Sequence, residues 1–198
     1  MERRALLATL GSAATAGVAG CITIGGAPPT PDGMEVRSPA FDDGGTIPRE
    51  HTCDGAGRSP PFTFSDLPEP TEAVALVCRY PNSFAQNFTH WLLWNVPPDR
   101  GEIPGGLPDT EVLPGLGGAR QGLNGIGEVG YLPVCPPPAL DEEEYRFRLY
   151  ALRQPLDLPG GANKERFEEA IEGAVLSSIR YVGFYDRPDD VTGTARGR

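Results

Sequence analysis

The sequence predicts a mainly β protein, an antiparallel β-sandwich with one or two short C-terminal helices. Three observations predict it. Short apolar runs recur at 61–64, 73–79, 88–96, 145–152 and 179–184, the lengths of strands rather than of helices. Gly, Pro, Asn or Asp separate most of them, and 26 glycines with 22 prolines suit a turn-rich chain better than a helical one. Helical periodicity is clear in only one segment, so packed antiparallel sheets are the natural way to bury the apolar faces.

The amino-terminal part, residues 1–20, reads as a signal peptide. Arg3 and Arg4 precede an apolar, small-residue run over 5–19, a charged region followed by a stretch too short to span a bilayer comfortably. The run closes on Val18-Ala19-Gly20-Cys21, which resembles a lipobox, so Cys21 is expected to become the first mature residue and to carry a lipid on sulfur. The twin arginine matches part of the signal for the folded-protein export route, but the motif around it is incomplete. Residues 21–33 are Gly/Pro-rich and polar, a tether between membrane and domain. A single domain is expected over 34–188, followed by a flexible tail over 189–198. The protein is thus expected to be exported and anchored on the outer face of the cell membrane.

Within the domain, Phe88-Thr89-His90-Trp91-Leu92-Leu93-Trp94-Asn95-Val96 reads as a buried strand closed by Pro97 and Pro98. His90 inside it needs a hydrogen-bond partner or a ligand, because an unpaired buried imidazole is costly. A satisfied core histidine and a site histidine are equally compatible with this segment alone. The segment 101–138 is dense in glycine and proline and is expected to be mostly loop. One helix follows. Asn163 is its expected cap, and Phe167, Ala170, Ile171, Ala174 and Val175 form its apolar face, with Gly173 kinking or ending it before a second short turn.

The formal charge of −10 disfavours tracking a phosphate backbone, so no nucleic-acid partner is expected. Lys164 is the one lysine among many arginines, a pattern that suits an acidic, halophilic surface and equally a GC-rich genome. No metal is expected, since the cysteines stand alone and there are only two histidines; no cofactor is expected either. Nor is an enzyme: Ser59 and Ser83 read as turn serines, no nucleophile–base pair stands out, and the second histidine, His51, falls in a polar loop and is expected to face water.

The order and spacing of several segments carry a resemblance. They are Phe41-Asp42-Asp43-Gly44-Gly45-Thr46-Ile47-Pro48, Thr52-Cys53-Asp54-Gly55, Ser59-Pro60-Pro61-Phe62, Tyr80-Pro81-Asn82-Ser83 after a strand, Gly122-Leu123-Asn124-Gly125, Gly130-Tyr131, Cys135-Pro136-Pro137, and the strand that begins Tyr145-Arg146-Phe147. Together they resemble the phosphatidylethanolamine-binding protein family, in its prokaryotic Raf-kinase-inhibitor-like branch. The resemblance implies a small pocket for phosphate, a phospholipid head group or a similar oxyanion. It also places the loops of Cys53 and Cys135 near that pocket, where the two either pair as a disulfide or stand as separate thiols; Cys78 reads as a small buried hydrophobe.

Carried over residue by residue, the pocket divides. His90 matches the family's strand histidine, Tyr145 its tyrosine, and Pro136 its third loop. Tyr80 and Asn82 stand where the family carries two aspartates, and Glu143 where it carries a second histidine, in the run Asp141-Glu142-Glu143-Glu144. The expected ligand-binding set is therefore His90, Tyr145, Asn82, Tyr80, Glu143 and Pro136. Glu143 should repel an anion and hold His90 protonated. Two functions fit: a membrane-anchored binding protein for a small polar or zwitterionic ligand or lipid head group, and a protein-interaction or inhibitory module with an inert pocket. Mass spectrometry of the membrane fraction should recover a lipidated peptide beginning at Cys21, and a Cys21→Ser chain should leave the membrane; one that stays fully bound contradicts the anchor.

Overall fold

The computed structural model describes residues 33–81, 88–138, 140 and 142–188. Cys21, the leader and tether, Asn82, Ser83 and the carboxy-terminal tail lie outside the described residues. Among the described residues, ten strands form two sheets. A small sheet is ordered β1 (Glu35–Arg37), β3 (Phe62–Ser65), β6 (Glu102–Ile103). The large one is ordered β2 (Gly45–Thr46), β10 (Val175–Tyr185), β9 (Glu143–Leu152), β4 (Ala73–Tyr80), β5 (Phe88–Val96), β8 (Ala119–Gln121), β7 (Val112–Leu113). Pairing is antiparallel except between β2 and β10, which run parallel, so the large sheet is mixed rather than wholly antiparallel.

The long apolar runs are continuous because the large sheet is covered on both faces. From β4, Val74, Leu76 and Cys78 enter the core shared with the small sheet, where Phe62 and Phe147 lie 5.0 Å apart, while Ala73, Ala75 and Val77 enter a second core. From β5, Trp91 and Leu93 face the first core, and Leu92 and Trp94 the second. Both indoles are satisfied, Trp91 Nε1 donating to Gln121 Oε1 at 2.8 Å and Trp94 Nε1 to the Leu158 carbonyl at 3.2 Å. Asn95 near the end of β5 takes φ +59°, and its side-chain amide binds the Leu156 backbone on both sides, at 3.0 and 2.8 Å, offsetting the strain.

The second core is closed by α1 (Lys164–Ile171) through Phe167, whose ring meets Trp94 at 5.8 Å. Asn163 caps it, its Oδ1 accepting from the Arg166 amide at 3.1 Å. The helix is shorter than its apolar pattern suggested: Gly173 turns the chain at φ +76°, Ala174 is buried in the turn, and Val175 already opens β10. The apolar spacing continues through the turn because that backbone stays packed on the same core. The loop-rich 101–138 segment also contains three strands, β6, β7 and β8, each only two or three residues long and so without a readable period.

Cys53 and Cys135 form a disulfide with Cα atoms 5.3 Å apart, spanning a sequence separation of 82. It fastens two segments that already touch: Thr52 bridges Val134 in parallel, and the Cys53 amide donates to the Val134 carbonyl at 3.1 Å. The adjoining Asp54 carboxylate accepts from Tyr185 Oη at 2.9 Å and Arg187 Nε at 3.1 Å, tying this corner to the end of β10. A loop of this size removes about 4–5 kcal/mol of unfolded-chain freedom in the entropic picture. A Cys53→Ser/Cys135→Ser protein should lose about 2–5 kcal/mol in urea denaturation relative to the parent; an unchanged midpoint would mean that the Asp54 contacts alone hold the corner.

Candidate functional site

His90 is placed by the centre of the large sheet, third in β5 and 5% exposed. Its Nδ1 lies 2.9 Å from the Leu132 carbonyl, so Nδ1 carries the proton and Nε2 the lone pair in the neutral ring. The Leu132 amide returns a bond to the His90 carbonyl at 2.8 Å, clamping the 130–135 loop along β5. The imidazole meets Phe88 and Tyr145 edge to face, each at 5.2 Å. Gly125 lets Phe88 sit there, since a Cβ on Gly125 would come within 2.4 Å of the Phe88 ring.

Burial pulls the His90 pKa from 6.5 down to about 4, with the Leu132 bond opposing only in part. The expected protonated His90 is therefore corrected to a neutral ring. Reasoning from charge alone gave Glu143 too much weight and desolvation too little. The Glu143 carboxylate has a different close partner: Tyr80 Oη donates to Glu143 Oε2 at 2.7 Å.

Tyr80 also stacks on Tyr145, centroids 5.2 Å apart and planes 24° from parallel. Glu143 and Tyr145 are two residues apart on β9, so the pleat sends both side chains to one face. Glu144, on the other face, takes its charge partner from Arg146 at 2.5 Å, which lowers its pKa. Only the first of the two β9 carboxylates thus joins the site. Tyr145 is 1% exposed, and burial, followed by the neighbouring Tyr80, pushes its hydroxyl far above the usual phenol range against a backbone hydrogen bond from Cys135. It stays a neutral hydroxyl at any ordinary pH.

Four of the six expected residues, His90, Tyr145, Tyr80 and Glu143, therefore form one continuous chain of contacts. Pro136 is buried directly after Cys135, whose backbone reaches Tyr145. Asn82 lies outside the described residues. The assembled surface is aromatic, and its formal charge is that of Glu143.

His51 corrects a second expectation. It is 5% exposed rather than turned to water, with Nδ1 2.9 Å from the Arg58 carbonyl. Its own carbonyl accepts from Tyr131 Oη at 2.8 Å, and the Tyr131 ring meets Trp91 at 5.6 Å. Tyr131 is the residue that sequence reasoning quoted without a role. The pairing joins residues 80 positions apart, and the one available signal was a lone aromatic after glycine in a polar loop.

Residues 37–186 match the family model described as phosphatidylethanolamine-binding protein. The chain is 41% identical over 154 residues to a UPF0098 protein of Methanothermobacter thermautotrophicus, covering 78% of this chain and 99% of that protein. A proposed lipoprotein, LppC, of Mycobacterium tuberculosis is 32% identical, over 80% of this chain and 75% of its own. A solved structure of a proposed family homologue, CT736 of Chlamydia trachomatis, superposes with a TM-score of 0.68 at 32% identity, over 78% of this chain and 97% of that one. Escherichia coli YbcL shares the fold, with a TM-score of 0.72 at 22% identity, over 78% and 98%. The chain belongs to the phosphatidylethanolamine-binding protein family. Among the described residues no helix is long and apolar enough to cross a membrane.

The depressed His90 pKa has a consequence for stability. Between about pH 6.5 and 4 the unfolded chain binds a proton at this position that the folded chain refuses, so folding weakens as pH falls through that window. The loss from this group should be about 2 kcal/mol between pH 7 and 5. Urea denaturation of the parent and of His90→Phe should show the parent losing more stability over that interval by about this amount; parallel pH profiles would contradict a neutral buried His90.

Proposed function

We propose that the protein is a membrane-anchored binding protein whose family pocket has been converted from an oxyanion site to one for the ammonium end of a small cationic or zwitterionic ligand, a free amine or a lipid head group. The observation that carries the reading is Tyr80, stacked on Tyr145 with its hydroxyl on Glu143. Tyrosine faces and a carboxylate suit an organic cation, through cation–π attraction and charge. A neutral His90 supplies no positive charge to an anion. An anion about 4 Å from the Glu143 carboxylate would meet about 4 kcal/mol of repulsion at an effective dielectric near 20, roughly a thousandfold in affinity. The lipid anchor at Cys21 fits the relative named as a lipoprotein, and the site is read as binding without catalysis. The acidic, lysine-poor composition fits a high-salt setting.

The same tyrosine favours a second reading. Tyr80 already holds the stacking face of Tyr145 and a Glu143 oxygen, so the site can be inert and the protein an interaction or inhibitory module. Calorimetry at fixed salt separates the two. On the first reading the parent binds choline or ethanolamine, Glu143→Gln weakens that binding about tenfold, a loss of about 1.4 kcal/mol, and inorganic phosphate gives no heat. A Tyr80→Asp/Asn82→Asp/Glu143→His protein should gain affinity for phosphorylethanolamine. Silence toward every amine leaves the interaction module as the function, and micromolar phosphate binding by the parent overturns both readings.

A further inference from the structure

A cavity of about 310 Å³ shares no lining residue with the His90 site. It stands at the small end of the range usual for ligand pockets, about 300–1,000 Å³. Its polar residues are Glu50, His51, Arg58 and Ser59, and its apolar walls are Pro39, Ala40 and Pro61. The backbone fixes this set. The Arg58 amide donates to the Glu50 carbonyl at 3.1 Å, and the Gly106 amide to the Ser59 carbonyl at 2.9 Å. Ser59 Oγ accepts from the Leu107 amide at 3.0 Å, which leaves its own proton to donate. Gly105 closes the space: a Cβ there would come within 3.1 Å of the Pro61 ring and 3.2 Å of the Ser59 carbonyl.

His51 is the informative group. Its Nδ1 is spent on the Arg58 carbonyl. Nε2 carries no hydrogen bond among the described residues. The unpartnered side-chain atoms sealed from solvent are Arg79 Nε and Thr89 Oγ1, so His51 Nε2 is reached by solvent, and the residue lines this cavity while being 95% buried. A ring nitrogen that no protein group occupies, on a residue lining a cavity, can accept from a ligand donor in place of water. Beside it stands an ion pair, Arg58 Nη1 to Glu50 Oε1 at 3.4 Å, both side chains well exposed. Such a pair contributes little by itself, so a ligand carrying both charges can replace it without loss.

We propose that this cavity is a second ligand site that takes a small zwitterion with an apolar side group, an α-amino acid in chemical class. The ligand carboxylate lies on Arg58, its ammonium on Glu50 and the His51 Nε2 lone pair, and its side group against the proline walls. The site is independent of His90, Tyr80 and Glu143.

The two histidines of the chain make the test direct. Ring-nitrogen NMR of histidine-labelled protein gives one signal set from each, so a ligand at this cavity moves His51 and leaves His90 in place. L-leucine is the probe; isovalerate and isoamylamine carry one of its two charges each. Millimolar leucine should shift the His51 Nε2 resonance in a saturable way, and each single-charge analogue should bind at least about tenfold more weakly, because each forfeits one charge-assisted contact. Arg58→Gln and Glu50→Gln, both on the exposed rim, should each weaken leucine by a similar factor, with an unmoved His90 signal reporting an intact fold. No shift at His51, a shift confined to His90, or equal affinity for all three probes would overturn the proposal. An amine response at His90 without one at His51 would fail this proposal and leave the ammonium site standing.

Discussion

Everything at the His90 site depends on the burial of β5 on both faces. Between β4 and β8, and between two apolar cores, this strand is buried continuously from Thr89 to Trp94. The cost of charging an imidazole there exceeds what the Leu132 hydrogen bond returns, and His90 is neutral. Its proton is then fixed on Nδ1 by the Leu132 carbonyl, which fixes the 130–135 loop, which carries Cys135 and the disulfide. The order of consequence runs from packing to protonation to loop position.

Tyr80 follows from the same geometry. Where β4 leaves the sheet, a short carboxylate would leave space in front of Tyr145. A phenol instead fills that space with a stacked ring and reaches Glu143 with its hydroxyl. The two replacements are matched: the phenol supplies the hydrogen bond that the Glu143 carboxylate needs when partly buried. The family fold is thus kept with Tyr80 and Glu143 paired in its pocket, and function resides in such a site rather than in an architecture.

The strands with a full period were legible in the sequence. Phe88–Val96 appears with the bounds expected, and the runs within β4, β9 and β10 differ from their strands mainly at the ends. Strands of two or three residues, such as Val112–Leu113, were not, since two residues have no alternation. The parallel β2–β10 pair was hidden because it joins residues 138 apart, Gly45 and Gly183. At the site, the residues that meet were legible through the family resemblance, but their protonation was not. Whether His90 is charged depends on how much water the packed strand excludes, and that is a property of the tertiary structure. His51 was misjudged for the same reason, because polar neighbours in sequence, Glu50 and Thr52, do not reveal that the ring itself turns inward beneath Arg58.

On the proposed reading, a neutral His90 beside the Glu143 carboxylate gives the site no hold on an oxyanion. An NMR titration of the His90 ring, with and without inorganic phosphate, tests it most directly. The expected midpoint lies near pH 4, and phosphate leaves it unmoved. A midpoint at or above the unperturbed value of about 6.5, or one that rises when phosphate is added, would contradict it.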